Sequence, residues 1–514
     1  MCGILFTNRY SVSWESFRTA LRLLDRRGPD GMGLMEPWEG AKLGHTRLAV
    51  IDPGPSSDQP YVTASECGIL AFNGEIYNFR EIAEIYGFKE QRDSDTAVLA
   101  ELIELRGLDS LTEINGMFSF VFLDVPTKSL HLGRDRLGIK PLFVYQDEQG
   151  VIVSSEIAPI IALTGPLEWD ELAVRQYASM RGFFGGSTLY KGIEMFPPAH
   201  YETRGQRYRY WTLEPHDASA PSMEELEDLI TSSIGLRIIS DVPVGSFLSG
   251  GVDSSLIAAL ARVDQAFTVG MPQDNEFAEA RATADALGLT HHYQQVRNSD
   301  FLPRLKQMVR DRQEPLSVPN EVLLDALAQA ANGRVKVLLS GEGADELFAG
   351  YHRIFDWAAS VDEFNIRDFA SLYCYGSSYD LAVIESVLEP FLEFQDPYLI
   401  VSAFFQQAHL HGLLRRLDFA TMHHGIEARV PFVDHRLVER MFGISHTFKR
   451  TQEATKYPLR KIALQHLPSS VAHRNKKGFP VQLQQVLPTT ELDRSDTIFD
   501  YWFEFNLEVL RSSL

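Results

Sequence analysis

The sequence is poor in cysteine, in long apolar runs and in positive charge. Only three cysteines occur among 514 residues, far apart and without a CxxC pair, which argues against a disulfide scaffold or a cysteine-built zinc site. No apolar run approaches the ~18 residues of a membrane-spanning helix. The first residues lack a basic region before an apolar stretch, so we expect no secretory signal and a cytoplasmic protein with reduced thiols. Lys and Arg number 48 against 69 Asp and Glu, which argues against a general nucleic-acid binder.

Two patterns divide the chain, and we place the domain boundary after residue 210. Residues 1–210 contain short β-like runs separated by Gly, Pro and Asp, which predicts a layered α+β domain with packed sheets. Residues 211–514 alternate strands and helices and become mostly helical after about residue 344, which predicts an α/β doubly wound parallel sheet with a helical C-terminal part. Within residues 1–210 the sequence predicts the helices Trp14–Arg27 and Asp95–Arg106 and the strands Leu43–Ile51, Gly68–Phe72, Met117–Asp124 and Val151–Ser155.

Cysteine at position 2 is a candidate nucleophile. The initiator methionine is removed when the next residue is small, and removal leaves Cys2 with an α-amino group of pKa ~7.7–8.0 beside a thiol of pKa ~8.5. An amine so close can take the thiol proton, which gives a nucleophile with its own base. Taken alone, Cys2 is more often an unreactive small residue or a lipidation site.

Four further segments supply groups that an amide substrate with an amino-acid head group needs. The guanidinium of Arg47 can bind an α-carboxylate in a bidentate manner. The side chain of Asn73 and the N–H of Gly74 can form an oxyanion hole. Asp95 begins a predicted helix, where it is either an N-cap or the partner of a substrate ammonium. The turn Arg26–Asp30 is either a structural loop or part of the same site.

Together, these motifs resemble the class II glutamine amidotransferase domain, which has the N-terminal-nucleophile hydrolase fold. The resemblance is carried by MCGI, RRGPDG, GHTRLAV, FNGEIYN, SDT, GMFSFVFLD and GRDRLGIKPL. It implies that glutamine is hydrolysed to glutamate and ammonia through a thioester on Cys2, with Asn73 and Gly74 as the oxyanion hole. It also implies a glutamine pocket lined by Arg47, Leu48, Val50, Ile51, Asn73, Gly74, Glu75 and Asp95.

A second constellation, FLSGGVDSS, lies between a predicted strand and a helix. Its glycines let the backbone approach an anion, and N–H groups at a helix N-terminus favour phosphate. Ser249, Ser254 and Ser255 add hydroxyl donors. No Gly-Lys-Ser/Thr follows, so this is not a Walker A loop. The string resembles the pyrophosphate loop of ATP pyrophosphatases, which cleave ATP between the α and β phosphates to give an acyl-adenylate and pyrophosphate.

An acidic turn follows a later predicted strand, in KVLLSGEGADELF. Three carboxylates within five residues of each other are either a solvated turn or a convergent Mg²⁺ site. Because SGGVDSS occurs in the same chain, we favour the Mg²⁺ site, with Asp253 and Asp345 as the ligands. Glu342 is expected to orient the acceptor carboxylate or to act as a base for incoming ammonia.

The motifs GIEARVPFVD and TKYPLR complete a resemblance to the synthetase domain of glutamine-hydrolysing asparagine synthetases over about residues 220–480. The resemblance implies ATP as a substrate and Lys456 as the cation that neutralises charge near the transferring phosphate. It also implies an ATP site formed by Leu248, Ser249, Gly250, Gly251, Asp253, Ser254, Ser255, Val269, Ser340 and Gly341.

The order of the domains suggests a combined reaction, in which ammonia travels through an interior tunnel because free NH₃ in water at pH 7 would be protonated. The family implies L-aspartate as acceptor and is compatible with a homodimer, while the net charge and the lack of long apolar runs lead us to expect no nucleic-acid or membrane partner. Two departures leave the acceptor open: residues 313–320 lack the paired threonines of aspartate-specific members, and Ala349-Gly350-Tyr351 replaces the frequent GGY. The alternatives are amidation of another carboxylate in a specialised pathway, and a cyclase or scaffold that does not use glutamine.

Overall fold

A computed structural model describes residues 2–215, 219–377, 379–452, 454–474, 481–488 and 497–512. Met1, on whose removal a free α-amino group at Cys2 depends, lies outside the described residues. The strands before residue 210 are β1 Cys2–Thr7, β2 Gly31–Met35, β3 Lys42–Arg47, β4 Tyr61–Val62, β5 Gly68–Ile76, β6 Gly116–Asp124, β7 Ser129–Arg134, β8 Phe143–Asp147, β9 Gly150–Ser154, β10 Ile193–Met195, β11 His200–Thr203 and β12 Gln206–Arg209. The helices are α1 Trp14–Arg22, α2 Phe79–Tyr86, α3 Asp95–Arg106, α4 Ile157–Thr164 and α5 Glu171–Met180.

These strands form two antiparallel sheets that pack face to face. The first has the order β10-β8-β9-β1-β3-β2 and the second the order β12-β11-β7-β6-β5-β4. Their inner faces share one apolar core, to which Ile4 and Leu43 contribute from the first sheet and Ala71 and Val121 from the second. Helices α1 and α4 pack on the first sheet and α3 on the second, with α2 against α3. The result is a layered sandwich with β1, which starts at Cys2, in an inner position.

Three predicted boundaries in this part were wrong. β5 continues to Ile76 because its antiparallel pairing with β6 runs on through Asn73, which is paired with Ser119. Most of the FNGEIYN motif therefore lies inside a strand. β3 stops at Arg47, where its pairing with β1 ends at Cys2. The helix predicted to reach Arg27 ends at Arg22 and passes into a succession of tight turns.

The second part of the chain is built on a parallel sheet. Its strands are β13 Val244–Phe247, β14 Gln265–Gly270, β15 Thr290–Gln295, β16 Val337–Leu339 and β17 Glu427–Arg429. The helices are α6 Met223–Arg237, α7 Val252–Ala261, α8 Phe277–Leu287, α9 Asn298–Arg312, α10 Glu321–Ala331, α11 Ala344–Leu347, α12 His352–Ala358, α13 Ile366–Tyr373, α14 Leu381–Leu388, α15 Pro397–Phe404, α16 Leu410–Met422, α17 His435–Met441, α18 His446–Lys449, α19 Tyr457–His466, α20 Ser469–Ala472, α21 Leu483–Val486 and α22 Ile498–Arg511.

The strand order of this sheet is β15-β14-β13-β16-β17, and every neighbouring pair is parallel. The chain proceeds outward from β13 to one edge and then returns to β16, so the order reverses between these two strands. Ligands of open α/β sheets bind at the carboxyl ends of the strands at such a switch point. Both predicted phosphate-site motifs follow the strands that flank it.

The sequence prediction missed one strand of this sheet. β17 lies within GIEARVPFVD, which the prediction left in a mostly helical region, and it pairs with β16 from Val337 opposite Glu427 to Leu339 opposite Arg429. Three residues are too few for a periodic pattern, and only the pairing defines the strand. The expected domain boundary after residue 210 falls between β12 and α6. No helix in the described ranges is long and apolar enough to cross a bilayer.

Candidate active sites

Cys2 begins an inner strand and is held on both sides of its backbone. Its N–H donates to Oδ1 of Asn73 at 3.0 Å, and its carbonyl accepts from Nε of Arg27 at 3.0 Å. Nδ2 of Asn73 is buried and has no hydrogen-bond partner among the described residues. This amide therefore holds the Cys2 backbone with its oxygen, and its nitrogen keeps a donor beside the predicted nucleophile.

The environment of the Cys2 thiol favours the thiolate. Burial by itself raises the pKa of Cys2, but the proximity of His45 and hydrogen bonds from His45 and the Leu48 backbone contribute to a net lowering to about 6. The His45 ring is positioned by its Nε2, which lies 3.0 Å from the carbonyl oxygen of Phe72. The sequence prediction did not assign His45, although it lies inside the GHTRLAV motif.

A pocket opens beside the thiol. Nearly all the predicted glutamine-binding residues lie on its wall, and Gln59, Phe72 and Thr96, which were not predicted, join them. The lining residues are Cys2, Arg47, Leu48, Val50, Ile51, Gln59, Phe72, Gly74, Glu75, Asp95 and Thr96. A Cβ at Gly74 would overlap the carbonyl of Met117 on β6, so only glycine leaves the two strands this close.

Arg47 stands at the pocket wall with its guanidinium engaged by a neighbouring loop. Nη1 donates to Oδ1 of Asp58 and to the carbonyl of Gly54, both at 2.7 Å, and Nη2 donates to the carbonyl of Asp52 at 2.5 Å. The Asp58 side chain is 67% exposed. A substrate carboxylate can therefore replace Asp58 on the guanidinium without uncovering a buried charge.

Asp95 is not the helix cap that one interpretation of the sequence allowed. Ser94 caps α3 by accepting from the Ala97 N–H, whereas Asp95 accepts from the Ile76 N–H at 3.1 Å and the Thr96 N–H at 2.7 Å. Burial raises the pKa of Asp95 to about 7. The carboxyl is thus a buried pocket group, which fits the alternative role as partner of a substrate ammonium.

The SGGVDSS loop connects β13 to α7 at the switch point. The N–H of Ser249 donates to Oγ of Ser254 at 3.0 Å, and the N–H of Gly251 donates to Oγ of Ser249 at 3.1 Å. Oγ of Ser255 donates to the Gly251 carbonyl at 2.8 Å. The N–H of Gly250 donates to the buried carboxylate of Glu276 at 3.3 Å. The loop therefore gathers backbone N–H groups and serine hydroxyls at the start of a helix, where N–H groups commonly bind phosphate.

The other predicted nucleotide-binding residues lie at the same edge of the sheet. Leu248 follows β13 and Val269 lies near the end of β14, both buried. Ser340 follows β16 and donates its N–H to the carbonyl of Arg429 at 2.8 Å. A Cβ at Gly341 would lie 3.2 Å from Cβ of Asp253, so the two loops touch there.

A buried lysine joins the two carboxylates that the sequence assigns to Mg²⁺. Nζ of Lys456 lies 2.6 Å from Oδ2 of Asp253 and 2.6 Å from Oδ1 of Asp345. A Cβ at Gly350 would overlap the Asp345 carboxylate, so this glycine allows the approach. Ala349 before it has φ of +54°, in the left-handed region that favours glycine, at the position where GGY is frequent.

Two known families match the chain. The glutamine amidotransferase domain matches residues 1–211, and asparagine synthase matches residues 225–499. The chain belongs to the asparagine synthase family. It is therefore an ATP-dependent ligase with a glutamine amidotransferase domain.

Curated relatives span most of the chain. Asparagine synthetase [glutamine-hydrolyzing] 1 of Bacillus subtilis is 29% identical over 95% of this chain and 88% of its own length. A putative asparagine synthetase of Mycobacterium tuberculosis H37Rv is 30% identical over 92% of this chain and 85% of its own. Asparagine synthetase B of Escherichia coli K12 is 27% identical over 89% of this chain and 77% of its own length.

One charged residue of the asparagine synthase domain was not predicted. Arg416 on α16 lies with Nη2 3.2 Å from Oε1 of Glu342 and with Nη1 3.5 Å from Oδ1 of Asn320. Its Nε is buried without a hydrogen-bond partner in the described part of the chain. No motif marks Arg416, because it is brought to Glu342 from a helix 74 residues away.

Buried charges join the amidotransferase domain to the asparagine synthase domain. Nη2 of Arg429 on β17 lies 3.4 Å from Oε2 of Glu75 in the glutamine-pocket wall. Asp418 on α16 lies 3.0 Å from Arg27 and 3.3 Å from Lys140, both of the amidotransferase domain. These side chains are almost fully buried, so the contact between the two domains is part of the protein interior.

Proposed function

We propose that this protein is a glutamine-hydrolysing asparagine synthetase. It converts L-aspartate, L-glutamine, ATP and water to L-asparagine, L-glutamate, AMP and diphosphate. The observation that carries the proposal is the contact between Glu75 and Arg429, because it joins the wall of a cysteine-nucleophile pocket to the sheet that holds an ATP-pyrophosphatase loop. Family membership and the relatives' names support the same assignment.

In the first half-reaction, the Cys2 thiolate attacks the carboxamide carbon of glutamine. The oxyanion accepts hydrogen bonds from Nδ2 of Asn73 and the N–H of Gly74, a kind of donor worth about 3–4 kcal/mol in acyl transfer. As the intermediate collapses, the α-ammonium group that holds the thiol proton protonates the departing nitrogen, so ammonia leaves and a thioester remains. Water then releases glutamate and restores the thiol. Arg47 binds the substrate α-carboxylate and Asp95 its ammonium. The layered sandwich with Cys2 on an inner strand supports an N-terminal-nucleophile hydrolase fold.

In the second half-reaction, the β-carboxylate of aspartate attacks the α phosphorus of ATP. Diphosphate leaves and β-aspartyl-AMP forms, and ammonia then displaces AMP to give the amide. Lys456 stabilises the charge of the transferring phosphate, and the SGGVDSS loop holds the leaving diphosphate. A closed interior protects the acyl-adenylate from water.

Asp253 and Asp345 are the residues we assign to Mg²⁺, which would offset phosphate charge when bound. The residues fit such an ion, since carboxylate oxygens are the ligands it prefers. Oδ1 of Asp253 is buried and has no hydrogen-bond partner in the described ranges, and a cation would satisfy it.

Aspartate is the acceptor that the described side chains favour. It carries a second carboxylate and an ammonium besides the carboxylate that is activated. Arg416 offers a guanidinium for the second carboxylate and Glu342 a carboxylate for the ammonium, and the two lie 3.2 Å apart. An acceptor without these groups would leave the buried guanidinium with only Glu342 and Asn320 as partners.

The test is to incubate the purified protein with ATP, Mg²⁺ and glutamine, with and without L-aspartate. Pyrophosphate is measured enzymatically and the products by mass. We expect pyrophosphate, asparagine and glutamate in equal amounts, all dependent on aspartate except for a slow background of glutamate. Glutamate without aspartate-dependent pyrophosphate would overturn aspartate as acceptor and direct the search to other carboxylic acids. Pyrophosphate without any glutamate would overturn the use of glutamine.

A further inference from the structure

A cluster of histidine and aspartate lies outside both candidate active sites. His423 and His424 follow α16, and Asp325 lies on α10. Oδ1 of Asp325 lies 2.6 Å from Nδ1 of His423 and 2.9 Å from Nε2 of His424. One ligand atom from each of the three residues lies within 4.8 Å of the others. Two imidazoles and one carboxylate oxygen are a donor set that suits zinc and related transition metals rather than Mg²⁺.

The groups behind these three atoms are arranged like the outer shell of a metal site. Nε2 of His423 lies 2.8 Å from Oδ2 of Asp311 on α9, so the ring nitrogen that faces away from the cluster has a carboxylate partner. Arg304 pairs with Oδ2 of Asp325 and leaves Oδ1 to the two histidines. Metal-bound histidines usually donate their other N–H to a carboxylate, which fixes the ring and makes it a better ligand.

The spacing needs only a small adjustment to accept an ion. With Zn–N and Zn–O distances near 2.0–2.1 Å, neighbouring ligand atoms of a tetrahedral site are about 3.3 Å apart. The present separations of 2.6 and 2.9 Å are hydrogen-bond distances. A modest rotation of the two imidazoles lengthens both distances to the value that a bound ion needs. The His423 and His424 side chains are 10% and 15% exposed, so the position is shielded but within reach of solvent.

We propose that Asp325, His423 and His424 form a zinc-class metal site with water in the fourth position. The site lies at the domain boundary, because Arg26 of the amidotransferase domain pairs with Asp311 and touches the His423 ring. Bound metal would tie the end of α16 to α10. The same helix carries Arg416 beside Glu342 and Asp418 beside Arg27, so the ion would brace the helix that serves both domains.

The test uses the full-length protein with Cys2→Ala in every sample, which removes the reactive thiol as a competing zinc ligand. The protein is stripped with a chelator, dialysed and titrated with ZnCl₂ by calorimetry and by competition with a chromophoric chelator, and Co²⁺ is added separately to record its visible absorption. We expect one zinc per chain and a Co²⁺ spectrum of tetrahedral type. Mg²⁺ should not compete.

Three variants separate a metal site from an ionic cluster. Asp325→Asn and the double variant His423→Ala/His424→Ala should lose zinc uptake, and Asp311→Asn should bind about 10–100-fold more weakly. His466→Ala, an exposed histidine that contacts Glu227, should bind zinc like the parent. Zinc should raise the Tm of the parent and of His466→Ala but not that of Asp325→Asn, which keeps the shape of the side chain. No zinc uptake by the parent, or equal uptake by Asp325→Asn, would overturn the proposal.

Discussion

The guanidinium of Arg429 lies 3.4 Å from Oε2 of Glu75 and 2.5 Å, through Nε, from Oε1 of Glu427. All three side chains are buried. Burial raises the pKa of Glu427, but Arg429 and Lys140 help to lower it to about 2. Burial together with Glu427 and Asp95 holds the pKa of Glu75 well above its usual range. One cation therefore stands between Glu427, whose pKa is lowered, and Glu75, whose pKa is raised.

This asymmetry predicts different outcomes for two substitutions. Arg429→Met removes the cation that contacts the buried Glu427 carboxylate and should lower the free energy of unfolding by about 3–5 kcal/mol. Glu75→Gln replaces the carboxyl whose pKa is raised by a neutral amide of the same shape and should change it by less than about 1 kcal/mol. Urea unfolding at pH 7 measures both. Equal losses would contradict this difference between the two carboxyl groups.

Cys2→Ala should lower glutamine-dependent activity by at least about a thousandfold, because no other group in the pocket replaces the nucleophile. Ammonium-dependent product formation should be unchanged, since the SGGVDSS loop and Lys456 are untouched. Cys67→Ala, at an exposed free cysteine, is the matched control and should behave like the parent. Full glutamine-dependent activity in Cys2→Ala would refute the nucleophile assignment.

The lowered pKa of Cys2 predicts an unusual pH profile for alkylation by iodoacetamide. The thiolate is the reactive form, so the rate should rise through pH 6 and level off above about pH 7. Cys374, whose pKa burial raises to about 11, should stay unmodified at pH 8. Peptide mass spectrometry separates the sites. His45→Asn removes a group that lowers the Cys2 pKa, so the midpoint should move up, and an unchanged midpoint would exclude His45 as a cause.

Lys456→Met and Asp253→Ala should each lower pyrophosphate release by at least about a hundredfold with either glutamine or ammonium, because both remove charge beside the transferring phosphate. Glutamine hydrolysis should persist in both, because its pocket lies in the other domain. Lys461→Met, on the exposed face of helix α19, which begins directly after Lys456, is the control and should be active. Retained pyrophosphate release in Asp253→Ala would refute the phosphate-loop assignment.

Two glycines on neighbouring elements predict opposite effects of a methyl group. Gly350→Ala drives a Cβ into the Asp345 carboxylate and should abolish pyrophosphate release. Gly412→Ala, in the exposed first turn of α16 with open space around it, should instead raise the free energy of unfolding by about 0.5–1 kcal/mol. Activity and urea unfolding of the two variants check this, and an active Gly350→Ala would show that Asp345 and Lys456 need not be so close.

Local patterns predicted most of the elements but not where several end. Helix Asp95–Arg106 was predicted to the residue because its cap, periodicity and terminal glycine are all local. β5 was predicted too short and β17 was missed, because each continues only where a neighbouring strand pairs with it. Asp95 shows the same limit within the site, since its partner Ile76 belongs to a strand 19 residues earlier.

The sequence by itself determined which chemistry we predict for the two candidate sites. Cys2, the Asn73-Gly74 pair and the SGGVDSS string are short segments whose residue types and spacing carry their meaning. The tertiary structure alone decided what lies between and around them. Arg416, the Arg429 contact with Glu75, and the Asp325 cluster each join residues 74 to 354 positions apart, and such contacts leave no periodic or spacing signal along the chain. They arise because α16 packs against α10 and β17, and because β17 brings Arg429 to the sandwich.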